Sequence, residues 1–232
     1  MRFLYFVNFI LKLYIFIGVV VFVDIHIHEK RNSPDSFLSL EEIVDEAKRK
    51  GLDAICITDH DKYDIKNFAE EYSKKVNFPI FVGCEYYSRE GDILIFGMDK
   101  IPGELRLPAQ EVIDFINSQG GICISAHPFR DNNRGLKENL EIVKGLAGVE
   151  VLNGSTTYED NKKAYMYAKK LGLAMCGASD AHEIKALGRF ATWVPDTVKN
   201  TNDFVSAIKN KNCRPAVLSG YKTTDDLKYF DN

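Results

Sequence analysis

A chain of 232 residues with 45% hydrophobic side chains can bury a full-sized core, which excludes a mini-protein held together by disulfides or metal. Thirty basic against 33 acidic side chains give a formal charge of -3, which removes the footprint of a protein that coats duplex nucleic acid and leaves room for a local basic pocket. The cysteines Cys56, Cys84, Cys123, Cys176 and Cys213 form no C-x-x-C pair, and four lie inside apolar runs, so they read as buried thiols in a reducing, cytoplasmic compartment.

In chain order, the first feature is an apolar run from Phe3 to Val23, interrupted only by Asn8, Lys12 and Gly18, about the length of a membrane span. Its end, Val19 to Val23, continues into Asp24-Ile25-His26-Ile27-His28 and reads as a buried strand. About 16 residues then remain, with Lys12 near their middle, which is short for a span. No small-residue cleavage site of a secretory signal follows. The expectation is an apolar extension, residues 1–18, ahead of one domain, residues 19–232. Membrane association, a docked apolar helix and an upstream mis-assigned start codon are the alternative readings of that extension.

Downstream, short apolar runs alternate with amphipathic stretches, the pattern of strand–helix units around a parallel sheet. Strands are predicted over 20–27, 53–58, 79–84, 92–97, 121–126, 148–152, 173–178 and 190–194, and helices over 40–50, 65–75, 109–118, 137–144, 160–171 and 203–209. Ser39 and Glu42 form a capping-box pattern, and Gly51, Gly120, Gly145 and Gly172 stand where helix C-caps belong. No repeat or low-complexity tract divides the chain, and the polar tail from Lys222 to Asn232 is expected to fray.

All five histidines fall at predicted strand ends. His26 and His28 close the first strand, and a period of two puts both on one face with Asp24. His60 follows the second strand in Thr58-Asp59-His60-Asp61, and Glu85 the third in Gly83-Cys84-Glu85. His127 follows the fifth, Asn153 ends the sixth, and Asp180 and His182 follow the seventh. In a β/α barrel these ends converge on one mouth. A lone histidine reads as a satisfied side chain, whereas five at one sheet edge beside carboxylates read as a metal cluster. Imidazole and carboxylate donors without thiolate suit Zn²⁺, Mn²⁺ or Fe²⁺, in a set larger than one ion uses.

In this order, Asp24-x-His26-x-His28 with Ser33-Pro34-Asp35-Ser36, Ile57-Thr58-Asp59-His60-Asp61, Gly83-Cys84-Glu85, Ala126-His127-Pro128 and Ser179-Asp180-Ala181-His182 resemble the motifs of the PHP family, the polymerase and histidinol phosphatase superfamily of metal-dependent phosphoesterases. The resemblance runs from Val21 to about Val194. It implies an α/β fold, a distorted seven-unit TIM-like (β/α) barrel, holding three divalent ions of manganese, zinc or iron. One ion would be held by His26, His28, Glu85 and Asp180, a second by Glu85 with His127 and Asn153, and a third by Asp35, His60 and His182. Asn153 also reads as a strand-end amide bonding the loop backbone, and Asp35 as a turn former. Asp24, Asp59 and Asp61 read either as carboxylates that orient ligand imidazoles or as loop caps.

No Gly-x-Ser-x-Gly elbow is present and the cysteines lie in strands, so a covalent nucleophile lacks a candidate. The expected reaction is hydrolysis of a phosphomonoester or phosphodiester, in a small phosphorylated metabolite or nucleotide, by metal-bound hydroxide. Arg130 and Arg189 are candidate phosphate ligands, against the alternative that each caps acidic surface. Two other functions fit the same barrel, an exonuclease acting on nucleic-acid ends and a non-catalytic nucleic-acid-binding subunit. The near-neutral charge weighs against the first, and the intact ligand set against the second.

Overall fold

The computed structural model describes residues 20–103 and 106–218. The apolar extension 1–18 and the tail from Lys222 lie outside the described residues. Along the chain follow β1 (Val20–Ile27), α1 (Leu40–Arg49), β2 (Ala54–Ile57), α2 (Lys66–Val76), β3 (Ile80–Tyr87), β4 (Asp92–Phe96), α3 (Ala109–Ser118) and β5 (Ile122–Ser125). A 3₁₀ turn (Lys137–Glu141) leads to β6 (Gly148–Asn153), α4 (Tyr158–Leu171), β7 (Ala174–Ala178), β8 (Phe190–Pro195), α5 (Thr201–Lys209) and β9 (Arg214–Val217).

Local chemistry explains where these elements start. Ser39 and Glu42 form the reciprocal capping box on α1. The helices α4 and α5 begin two residues earlier than predicted, because Thr157 and Asn200 accept from the amides of Asp160 and Asp203. The predicted helix 137–144 is only the 3₁₀ turn: Lys137 takes a φ of 51° and no side chain caps its start. The strand β9 was not anticipated, since Pro215 interrupts its short run, as edge strands tolerate.

The nine strands lie in the order β7-β6-β5-β4-β3-β2-β1-β8-β9. The pairs β1–β2, β2–β3, β5–β6 and β6–β7 are parallel, but the sheet is mixed and not all-parallel as expected. Only the short loop Ser88 to Gly91 joins β3 to β4, too little for a crossover helix, so β4 runs antiparallel to both neighbours. The strand β8 is antiparallel to β1 and β9.

The sheet curls into a nearly closed TIM-like barrel. Its seam is an isolated parallel bridge between Ile27 and Ala181, with His28 N–H donating to the Ala181 carbonyl at 3.0 Å. Lower down, the Thr192 hydroxyl of β8 accepts from Gly177 N–H at 3.0 Å and donates to its carbonyl at 2.8 Å. Inside lie Val23, Ile25, Phe81, Leu94, Phe96, Ile122, Ile124 and Val194, with Phe204 of α5 packed among them. The outer faces of the strands pack under the helices, as Ile27, Ile55 and Ile57 do against Leu40 and Ile43.

One register fault shapes the site. In β1, Asp24 pairs with Ile55 and Ile27 with Ile57, so a β-bulge places Ile25 in the inner cluster and Ile27 in the outer one. The even alternation expected for Asp24, His26 and His28 is therefore broken. The two histidines point into the barrel mouth, and Asp24 turns to the backbone amides of Ser179 and Gly188.

The seam needs a residue without a side chain at Gly177, where an added Cβ would lie 2.5 Å from the Ala191 carbonyl. Gly177→Ala is expected to destabilise the fold by about 1–3 kcal/mol through overpacking, with Tm falling roughly 2–4 °C per kcal/mol in thermal denaturation. An unchanged Tm would mean that the seam is not tight.

Candidate metal centre

The parallel strands β1, β2, β3, β5, β6 and β7 deliver their carboxyl ends to one rim, and the antiparallel β4 delivers its amino end, Asp92, to the same place. The hub is Glu85, fully buried near the end of β3. Its carboxylate oxygens lie 3.4 Å from His26 Nε2, 3.6 Å from His28 Nε2, 2.8 Å from His60 Nδ1 and 2.8 Å from His127 Nε2.

Around it the structure brings together three sets of donors. In the first, His26 Nε2 and His28 Nε2 are 3.0 Å apart, and Asp180 Oδ1 lies 3.6 and 3.5 Å from them. In the second, His127 Nε2 faces Glu85 and lies 3.6 Å from Asp92 Oδ2. In the third, Asp35 Oδ2 lies 3.1 Å from His60 Nε2 and 3.4 Å from His182 Nε2, with Asp35 open to solvent. Both Asp180 (φ 55°) and His127 (φ 26°) sit in the left-handed region that non-glycine residues avoid; such strain is typical of functional positions.

Behind the donors is a layer of buried polar groups, in which sequence reading missed Glu150. It sits inside β6 beside a second bulge between Glu150 and Leu152. Its Oε1 accepts from His26 Nδ1 at 2.9 Å, and its Oε2 accepts from His127 N–H and Asn153 Nδ2, each at 2.9 Å. The available signal was a glutamate inside the apolar run Val149 to Leu152. Asp92 and Arg134 were missed as well. Arg134 grips Asp92 with two bonds, Nε to Oδ2 at 2.7 Å and Nη2 to Oδ1 at 3.0 Å.

The other predicted residues divide between the two roles left open for them. Asp59 acts on a ring indirectly: its Oδ1 accepts from the Ser33 hydroxyl at 3.0 Å, and Ser33 Oγ lies 3.1 Å from His28 Nδ1. Asp24 and Asp61 cap loops, Asp61 accepting from Tyr87 N–H at 2.8 Å. The Asn153 amide is spent within the protein, since Oδ1 accepts from Arg130, Ser155 N–H and Thr156, and Nδ2 donates to Glu150 and Asp180. Arg130 enters the site through bonds to Asp180 and Asn153. Arg189 donates to the Gly154 carbonyl at 2.9 Å, behind the rim.

The ionisation of these groups reflects how much charge is confined here. Burial pushes the Glu85 carboxyl up, but His26, His127 and His60 outweigh it and hold the group well below the carboxylate range. Asp180 is depressed likewise, against burial, by His26, His28, His127 and Arg130. Burial opposes the charged form of His60, yet Glu85 and Asp35 raise it to about 9. Burial lowers His28 to about 4. Asp92 is raised to about 7 by burial and by the charge of Glu85, against the pull of Arg134. The protein alone therefore balances its buried carboxylates with protons on imidazoles.

The donors fit divalent cations. Ligands about 2.1 Å from a tetrahedral ion lie roughly 3.4 Å apart, and the first set has edges of 3.0–3.6 Å. The buried Nδ1 atoms of His60 and His127 have no hydrogen-bond partner among the described residues, although Glu85 Oε2 lies 2.8 Å from the former.

Comparison with known proteins accords with this geometry. The family model of the PHP domain matches residues 24–171, and that of the PHP-associated region matches residues 158–213. An uncharacterized protein of Methanocaldococcus jannaschii is 31% identical over 140 residues, 56% of this chain and 80% of that protein. A two-domain protein of Bacteroides vulgatus, described as containing a predicted PHP-like metal-dependent phosphoesterase, superposes with a TM-score of 0.68 at 21% identity, covering 92% of this chain and 70% of that one. A lesion-specific endonuclease of Pyrococcus furiosus gives a TM-score of 0.65 at 19% identity, covering 85% and 58% of the two chains.

Two outcomes follow from the cluster. Above pH 6.5 an unfolded histidine has lost its proton, while folded His60 keeps one until about pH 9. The folded state binds the extra proton in that window, so its stability falls as pH rises. Metal-free protein in chelator is expected to lose on the order of 3 kcal/mol between pH 6.5 and 9, read by urea denaturation; a flat profile would contradict a protonated His60. Glu150→Gln is expected to weaken metal binding about 10–100-fold by freeing His26, measured by equilibrium dialysis, and unchanged affinity would show that Glu150 does not position that ring.

Proposed function

The chain belongs to the PHP family, and from that premise we propose that it is a metal-dependent phosphoesterase hydrolysing a phosphomonoester or phosphodiester in a small phosphorylated metabolite or nucleotide. The observation that carries this reading is the single buried carboxylate of Glu85 touching four imidazoles, with Asp180 beside it. So many convergent donors serve a multinuclear site, and three divalent ions, of manganese, zinc or iron, match the three sets. His26, His28, Glu85 and Asp180 would hold the first, and Glu85 with His127 and Asp92 the second. Asp35, His60 and His182 would hold the third. When bound, such cations activate water near neutral pH and neutralise phosphoryl oxygens.

The chain's own side chains do the rest. Glu150 and Ser33 fix the rings of His26 and His28 through their second nitrogens. Arg130 is the candidate to meet phosphate, because its Nη2 already meets the Asp180 carboxylate and its planar fork could turn to phosphoryl oxygens. Arg189, held on a backbone carbonyl, is the weaker candidate. The thiols of Cys56 and Cys84 do not compete as nucleophiles, since burial raises them well above the ordinary thiol range, and a hydrogen bond to Cys213 together with burial raises Cys176 likewise.

A screen of phosphorylated metabolites and short single-stranded oligonucleotides with Mn²⁺ tests both the ester and the nucleic-acid substrate, the latter kept in view by the fold shared with the endonuclease. His60→Ala and Glu85→Ala are expected to abolish metal-dependent hydrolysis while circular dichroism stays near that of the parent. Retained turnover in either would overturn the assignment. Arg130→Ala is expected to raise KM with kcat little changed if it binds ground-state phosphate.

A further inference from the structure

Beside the metal centre lies a cavity of about 590 Å³, lined chiefly by Lys62, Tyr63, Tyr87, Lys100 and Arg106, within the size range of small-molecule sites. It opens on the same rim, because Asp61 of its wall follows His60 and Tyr87 stands two residues after Glu85 on β3. The hydrogen bond from Tyr87 N–H to Asp61 ties these two walls together. The Tyr87 ring carries two guanidinium groups, Arg106 with its Cζ 3.4 Å and Arg134 with its Cζ 4.3 Å from the ring centroid. Arg134 is neutralised by Asp92, which lies 3.6 Å from His127 Nε2. A single guanidinium therefore separates this tyrosine from the donor cluster.

Arg106 is different. Its guanidinium donates to the backbone carbonyl of Ser88 at 3.3 Å and has no carboxylate within ion-pair distance among the described residues. Its planar face is supported on an aromatic ring, and since Asp61 and Asp64 match Lys62 and Lys100 in number, Arg106 is the surplus cation among the lining residues. Stacked tyrosine and guanidinium planes recognise a flat π system, whereas an aliphatic phosphoester would gain nothing from them. We propose that this cavity seats the base of a nucleotide whose phosphate lies at the metal centre, an inference that rests on the phosphoesterase reading.

The test is calorimetric binding of AMP and of ribose 5-phosphate to the full chain with Mn²⁺, beside a separate assay of phosphate release. AMP is expected to bind at least about tenfold more tightly than ribose 5-phosphate, as stacking on the Arg106 guanidinium backed by Tyr87 supplies. In Arg106→Ala and Tyr87→Leu that ratio is expected to fall towards one, and Tyr87→Phe is expected to restore it. Equal affinities in the parent, or a ratio unchanged in Arg106→Ala, would overturn the base site. Tighter AMP binding without hydrolysis of any ester would overturn the phosphoesterase reading and leave the base site standing. Hydrolysis of both esters with equal affinities would do the reverse.

Discussion

Four imidazoles crowd one buried carboxylate, and the structure around the rim follows from holding that arrangement together. Isolated charges at such depth are prohibitively costly, so Glu85 and Asp180 persist only because His26, His60 and Arg130 carry compensating charge. The protonated imidazoles do for the protein what cations do more completely. Because its protonated imidazoles must give up protons to ligate a cation, such a site would couple metal uptake to proton release.

The barrel supplies the geometry by departing from regularity at chosen places. Bulges in β1 and β6 fall beside His26 and Glu150, re-aiming the side chains that face one another across the mouth. The antiparallel β4 brings Asp92 to the rim from the opposite chain direction. Left-handed backbone at His127 and Asp180 turns their side chains inward where a regular strand would carry them past. Each device spoils an ideal ladder locally and is tolerated because the packed interior below, from Val23 to Phe204, remains regular.

The convergence of these side chains was legible because strand ends are marked by apolar runs that stop at a histidine or carboxylate, and a barrel brings such ends to one rim. The supporting groups were harder to see. Asp92 begins an apolar strand whose reversed direction depends on the shortness of the loop before it, and Arg134 lies in an irregular segment with no periodicity. Glu150 breaks the apolar pattern of its strand, but its bond to His26 spans 124 residues and is set by barrel closure. The face of Asp24 was misjudged for a related reason: a bulge adds a residue to one strand, and alternation alone gives no notice of it. Two partners of the Asn153 amide, Arg130 and Asp180, lie on other segments and could not be read from its motif.

The seam of the barrel has a consequence for how the molecule holds its shape. Among the described residues no continuous ladder joins β7 to β1; the gap is spanned by the bridge from Ile27 to Ala181, the Asp24 carboxylate on the amides of Ser179 and Gly188, and, from β8, the hydroxyl of Thr192. The rim residues on either side of that gap are His26 and His28 at one margin and Asp180 and His182 at the other. A cation shared by His26, His28 and Asp180 would act as a cross-link between segments far apart in the chain, closing a long loop as a disulfide does and removing entropy from the unfolded chain. The chemistry of the site and the mechanical closure of the barrel would then be one and the same set of bonds.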